Sequence, residues 1–225
     1  SNDDSNLSLD LKSFEKQMSF LRNRGYNSIN FDEINNDQEK KIIITFDDGY
    51  KDNLINALPI LKKYNFKATC FLITNFIGMN NIWDSSQKNY VKKELLNNND
   101  ISEWISNGMR IGSHSHNHKI LPNLTLNLIE EDLDISKNFL ENKFGFTVDD
   151  FCYPFGKVNN LVYQAVKQRF KTAVTTNRSR YNIHNHNVHL IPRIDMGKKI
   201  FLMKILLKLE TIYEDIKYKK DELYL

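Results

Sequence analysis

The chain has 225 residues, with 31 Lys and Arg against 28 Asp and Glu, a net charge of +3. That length suits one domain with a sizeable core, and the charge excess is too small for a nucleic-acid partner, which needs Lys and Arg massed along a stripe. The 40% hydrophobic and 26% charged composition, with 8 Gly and 4 Pro, excludes collagen-like and low-complexity classes, and no stretch approaches the apolar length of a membrane span.

In chain order, Leu11, Phe14, Met18 and Leu21 recur at helical spacing and run out at Gly25, so a helix is expected over Leu9–Arg24. A short extended piece follows around Ser28–Phe31. Lys41–Phe46 is a continuous apolar run ended by Asp47-Asp48-Gly49, a buried strand running into a loop. Asn53–Tyr64 is helical in pattern, with Pro59 predicting a kink. Strands are then expected at Lys67–Ile73, Met109–Ser113, Asp150–Tyr153, Lys171–Thr176 and His189–Ile194. Helices alternate with them at Ile101–Asn107, Leu126–Phe144 and Asn160–Arg169.

This alternation predicts an α/β fold, an irregular (β/α) barrel with six or seven mostly parallel strands, over residues 1–197. Two segments stand outside the rhythm. Asn75–Asp100 is a polar insertion with Trp83 and Tyr90, a lid or substrate wall. From Lys198 onward the pattern is one amphipathic helix (Ile200, Met203, Leu206, Leu207, Ile212, Ile216), expected to pack on the barrel, with membrane-surface or cell-wall association as its other use. No Gly-x-Gly-x-x-Gly follows any strand, which leaves no dinucleotide site. Cys70 and Cys152 lie in apolar, strand-like runs and read as buried free thiols.

Active groups of parallel α/β proteins collect where strands end, and three strand ends here are chemically unusual. The first is Thr45-Phe46-Asp47-Asp48-Gly49, whose adjacent carboxylates point different ways, so one can hold a metal while the other does not. An Asx turn or helix cap is the plain alternative. The second is His114-Ser115-His116-Asn117-His118, in which His114 and His118 are spaced to aim two imidazoles at one ion, with His116 exposed or outside the ligand set. One Asp and two His leave coordination positions open, as catalytic sites do; Zn²⁺ suits N,N,O ligation best, with Co²⁺, Ni²⁺, Mn²⁺ or Fe²⁺ as alternatives. Such an ion activates water and polarises a carbonyl, and the remaining Asp is the natural general base. The third is Phe151-Cys152-Tyr153-Pro154-Phe155-Gly156, a tight loop whose N–H groups suit an oxyanion.

In this order, Thr-Phe-Asp-Asp-Gly, His-Ser-x-x-His and Tyr-Pro-Phe-Gly resemble the polysaccharide deacetylases, the NodB-homology domain of carbohydrate esterase family 4. Ala57-Leu58-Pro59-Ile60-Leu61, Lys67-Ala68-Thr69, Ile111-Gly112-Ser113-His114 and Ile191-Pro192-Arg193-Ile194 extend the resemblance over Leu9–Met196. It implies Asp47 as base and Asp48, His114 and His118 as metal ligands. Phe155 would supply an N–H to the oxyanion, and Tyr153, Pro154 and Gly156 would shape the acetyl pocket. The implied substrate is an acetylated amino-sugar glycan, losing acetate to give a free amine.

Two departures matter. Asp150-Phe151-Cys152-Tyr153 lacks the Arg that most of the family places early in the third motif; it resembles instead the Tyr-Pro-aromatic-Gly subgroup, which includes poly-N-acetylglucosamine deacetylases. Arg193 on the last strand is then the expected partner of the base, with a rim salt bridge as its alternative. The family's acid His also lacks a clear counterpart among His184, His186 and His189. Either His189 serves, or the activity is weak or altered, or an upstream Tyr-His strand and leader precede this sequence, which would place the protein outside the cytoplasm. Trp83, Tyr90 and Trp104 would line a groove for a polymer. A hydrolase of a non-sugar amide or an O-acetyl ester, and a silent carbohydrate-binding module, are the alternative functions.

Overall fold

The computed structural model describes residues 10–35, 40–184, 187–196 and 202–217. It folds as two compact units, one holding the described residues up to Cys70 together with Phe76–Arg110 and those of Met196–Ile205, the other holding Phe71–Asn75, Ile111–Asp195 and the described residues from Leu206.

In the first unit, α1 (Leu11–Asn23) starts where the Asp10 carboxylate accepts the Ser13 N–H at 3.0 Å, and ends before Gly25 at φ +82°. The Lys41–Phe46 run is two strands rather than one. After β1 (Asn27–Ser28), β2 (Lys41–Ile42) pairs with it, and β3 (Thr45–Phe46) pairs instead with β4 (Thr69–Leu72), all parallel. The chain changes partner at Ile43-Ile44, which an unbroken apolar run cannot signal. The expected kink lies before Pro59. A π-turn over Asn53–Ala57 leads into α2 (Leu58–Lys63), with the Leu58 N–H reaching back five residues to the Asn53 carbonyl. Proline has no N–H to keep the α register there.

α3 (Asn98–Ser106) begins at a reciprocal cap: Asn97 Oδ1 accepts from the N–H groups of Asn99 and Asp100, and Asp100 returns a carboxylate to the Asn97 N–H at 2.9 Å. Trp104 on this helix is fully buried and its Nε1 donates to the Arg110 carbonyl at 2.8 Å. It is a core residue and not a groove wall, because its spacing from Ile101 sets both on the inward face.

The second unit carries most of the sheet: the later part of β4, then β5 (Arg110–Ser113), β6 (Asp150–Cys152), β7 (Thr172–Arg178) and β8 (Ile191–Arg193). Strands β3 to β8 follow one another in order in a six-stranded parallel sheet, the sheet of a distorted (β/α) barrel. Gly112 is required by close approach, since a Cβ there would lie 2.6 Å from the Phe71 ring and 2.8 Å from the Asp150 carbonyl. Between β5 and β6 runs α4 (Leu126–Phe144), closed by Gly145 at φ +77°; α5 (Asn160–Lys167) lies between β6 and β7. The buried face of α4 includes Ile129, Leu133 and Leu140 together with Asp132 and Ser136.

The single C-terminal helix of expectation is two. α6 (Leu202–Glu210) stops at Thr211, whose hydroxyl bonds back to the Leu207 carbonyl and accepts the Tyr213 N–H that starts α7 (Tyr213–Lys217). Residues 197–201 and 218–225 of that segment lie outside the described residues. The fully buried Glu214 carboxylate is held by Lys208 at 3.2 Å and Arg178 at 3.2 Å, so neither helix can lose its partner without stranding a buried charge. Among the described residues no helix is long and apolar enough to cross a membrane. Cys70 and Cys152 are free and buried, as expected; burial pushes the Cys70 thiol up, which keeps it out of nucleophile chemistry.

Candidate active site

The Asp-Asp-Gly turn closes directly after β3. The Gly49 N–H bonds to the Asp47 carbonyl at 2.9 Å, a three-residue turn with Asp48 at its centre and at φ +68°, followed by Gly49 at φ +75°. Left-handed backbone on a non-glycine residue is costly and persists where surrounding contacts impose it. Here the contacts come from the Asn75–Asp100 insertion: the Leu96 N–H bonds to the Gly49 carbonyl at 2.8 Å, and the Lys51 N–H to the Glu94 carbonyl at 2.9 Å. The insertion is therefore a wall on the Asp48 turn. Trp83 packs between Phe76 and Tyr50, with ring centroids 5.1 and 6.5 Å away.

Two further groups sit beside Asp48 that the sequence did not single out. Asp84 is 8% exposed, and burial with the Asp48 charge raises its carboxyl above the usual range. Burial likewise pushes the Tyr50 hydroxyl up, reinforced by Asp48 and Asp84, so it stays a neutral donor.

In the second unit, β5 delivers His114 and then His118. Both imidazoles are buried, with ring centroids 4.8 Å apart. His114 Nδ1 bonds to the Cys152 carbonyl at 2.7 Å. As carbonyls only accept, the proton is on Nδ1 and the lone pair on Nε2, the tautomer of a ligating histidine. The turn between them is internally bonded: the His118 N–H donates to Ser115 Oγ at 3.0 Å, and the Ser115 N–H to Ser113 Oγ at 3.2 Å. Ser115 and His118 have φ of +67° and +52°. His116 Nδ1 bonds Thr74 Oγ1 at 2.8 Å.

The third motif forms a 3₁₀ turn over Pro154–Gly156, with Phe155 at φ +57° and its half-exposed ring 4.5 Å from that of His118. Gly156 must be glycine, because a Cβ would collide with the Thr176 side chain. Arg193 ends β8 and reaches across β7, its Nε donating to the Thr175 carbonyl at 2.8 Å and Nη2 lying 3.5 Å from Cys152 Sγ. The guanidinium is thus beside the residue whose carbonyl orients His114.

Two expectations are corrected. His189 precedes β8, at the N-terminal end of the parallel sheet, and its Nε2 bonds to the Phe170 carbonyl at 3.0 Å. A ring nitrogen bonded there holds the chain at the N-terminal end of the sheet, opposite the strand end that carries His114. Tyr153 is fully buried and its hydroxyl donates to the His189 carbonyl at 3.0 Å, making it a core anchor and not a pocket wall. Pro154 is buried beneath the exposed Phe155. His184 is exposed, and His186 lies outside the described residues.

In the second unit, His114 and His118 offer two imidazoles with which to hold a metal ion; the Asp47 and Asp48 carboxylates follow β3 in the first unit.

The fold is a parallel α/β sheet with Asp residues after β3 and His residues after β5, and comparison with known proteins gives its class. Residues 34–173 match the polysaccharide deacetylase family, and the chain belongs to it. It is 32% identical over 173 residues to YxkH of Bacillus subtilis (strain 168), covering 73% of this chain but 57% of that protein. It is 24% identical over 211 residues to the poly-β-1,6-N-acetyl-D-glucosamine N-deacetylase of Staphylococcus aureus, covering 87% of this chain and 70% of that one. The fold superposes on the Streptococcus pyogenes deacetylase PplD with a TM-score of 0.79, at 23% identity, over 92% of this chain and 89% of that one.

Proposed function

We propose that this chain is a metal-dependent hydrolase that removes N-acetyl groups from the amino sugars of a cell-surface or extracellular polysaccharide and releases acetate. The carrying observation is the buried His114–His118 pair, with His114 set for ligation by the Cys152 carbonyl, in a chain of the polysaccharide deacetylase family. Asp48, His114 and His118 would hold the ion, with Zn²⁺ suited to such nitrogen and oxygen ligands. A bound divalent ion supplies an acidified water and a polarised acetyl carbonyl.

The protein's own groups do the rest. Asp47 accepts the proton of the attacking water. Arg193, beside Cys152, holds the Asp47 carboxylate in its ionised, oriented form. The Phe155 N–H, presented by the left-handed turn, stabilises the oxyanion as the tetrahedral centre forms. Collapse breaks the C–N bond and leaves acetate and the sugar amine. The proton for that amine comes from a group other than His189, whose ring is engaged at the far end of the sheet.

Acetate release from N-acetylated chitooligosaccharides and from poly-β-1,6-N-acetylglucosamine, with Zn²⁺ or Co²⁺ added, tests this reading. Asp47→Asn is expected to lower turnover by about 10²–10⁴-fold while the metal stays bound. Release that ignores a chelator, or an Asp47→Asn enzyme of full activity, overturns it.

A further inference from the structure

Asp132 is a carboxylate on the buried face of an amphipathic helix, 4% exposed, where the neighbouring inward residues are Ile129, Leu133 and Ser136. A charge so placed is costly unless it is fully hydrogen-bonded. Its partners all belong to the histidine turn. Oδ1 accepts the His116 N–H at 2.7 Å; Oδ2 accepts the Asn117 N–H at 3.1 Å and Asn117 Nδ2 at 2.9 Å. Successive backbone N–H groups converging on one anion are a nest, a concavity that in other proteins takes a phosphate or sulfate. Here α4 fills the nest from within the chain.

The consequence is geometric. His114 and His118 flank the two residues whose N–H groups are clamped. The left-handed values at Ser115 and His118 bracket the same pair and carry a strain cost that something must offset. Hydrogen bonds to a carboxylate are the strong kind. The other supports of the turn include Thr74 Oγ1 with His116, Asn75 Nδ2 to Asn117 Oδ1 at 3.0 Å, the Ser113 and Ser115 hydroxyls, and the Thr74 and Asn75 N–H groups on the Ser115 and His116 carbonyls; none of these uses a carboxylate.

We infer that Asp132 is the positioning residue of the candidate metal site: its carboxylate, bound in the nest of the His114–His118 turn, fixes the separation and aim of the two imidazoles. The inference rests on the metal-dependent reading above. Asp132 itself touches neither substrate nor ion, and it acts only through the turn.

The test is Co²⁺ binding to the full chain, read by the d–d absorption spectrum and by competition with a chelator, beside thermal unfolding of the metal-free protein. Asp132→Asn places an amide where two donors already point. It is expected to weaken Co²⁺ binding by about 10–100-fold, the range for residues that orient ligands, and to change the d–d spectrum. Lys137→Ala removes the Lys137 bond to the Val148 carbonyl elsewhere on α4, so it lowers thermal stability and leaves the spectrum alone. Should Asp132→Asn not fold, Asn117→Ala removes one of the three bonds and is expected to weaken binding several-fold. A folded Asp132→Asn, or failing that Asn117→Ala, with wild-type affinity and spectrum overturns the inference while the metal reading stands. A wild-type chain that takes up no Co²⁺ overturns the metal reading and this inference with it.

Discussion

His114 and His189 lie beside strands of the same sheet, and both have one ring nitrogen on a backbone carbonyl, yet they sit at opposite ends of its strands. His114 follows β5, at the C-terminal end of the parallel strands, and its Cys152 bond uses Nδ1, leaving the lone pair of Nε2 to ligate. His189 precedes β8, at the N-terminal end, and uses Nε2 to fasten the Phe170 carbonyl ahead of β7. The difference is one of strand polarity and tautomer, not of residue type. In a parallel sheet all C-terminal ends share one side, so a histidine before a strand is on the scaffold side of the fold.

The comparison is broken most directly at His114. His114→Ala removes a ligand of the proposed site. It is expected to abolish stoichiometric Zn²⁺ or Co²⁺ binding in equilibrium dialysis and to reduce acetate release by more than about 10³-fold, since the ion's Lewis acidity is lost outright. Retained metal stoichiometry would show that His118 and the carboxylates suffice. A sharper test uses β8 alone, because it carries His189 before its first residue and Arg193 at its last. Arg193→Ala is expected to lower kcat by about 10–100-fold with KM and metal content little changed, as for a residue that orients the base. Unchanged turnover would reduce Arg193 to a strap between β7 and β6.

The same polarity decides what was legible in the sequence. The three motifs at the C-terminal ends were readable because loops there carry several unusual residues in a row, and each motif does follow its strand. α4 was bounded correctly over Leu126–Phe144, since its apolar period ends on a glycine that closes the helix in the left-handed region. The ligating tautomer of His114 was not readable, because it depends on a carbonyl 38 residues away. Asp132 had a faint signal: it falls one turn before Ser136 on the stripe of Ile129, Leu133 and Leu140, and a charged residue on an apolar stripe calls for a buried partner. Trp104 misled by residue type, aromatic and so assigned to a groove, when its helical phase with Ile101 already set it in the core. His189 misled by proximity to a strand whose direction of approach was left out of account.

The smallest effect on activity, and the one that tests the scaffold side, is expected at His189 itself. His189→Ala loses the Nε2–H bond to the Phe170 carbonyl and the edge-on contact with Tyr163, whose ring centroid is 6.3 Å away. The Tyr153 hydroxyl keeps its acceptor, because that is the backbone carbonyl of residue 189. A neutral hydrogen bond with a partly exposed aromatic contact is worth about 1–2 kcal/mol. Thermal unfolding should therefore drop by several degrees for a chain of this size. Acetate release below the unfolding transition should stay within about twofold of wild type, and metal content should not move. A loss of kcat at full metal occupancy and unchanged fold would return His189 to the reaction, and would mean that the segment before β8 reaches the other end of the sheet during turnover.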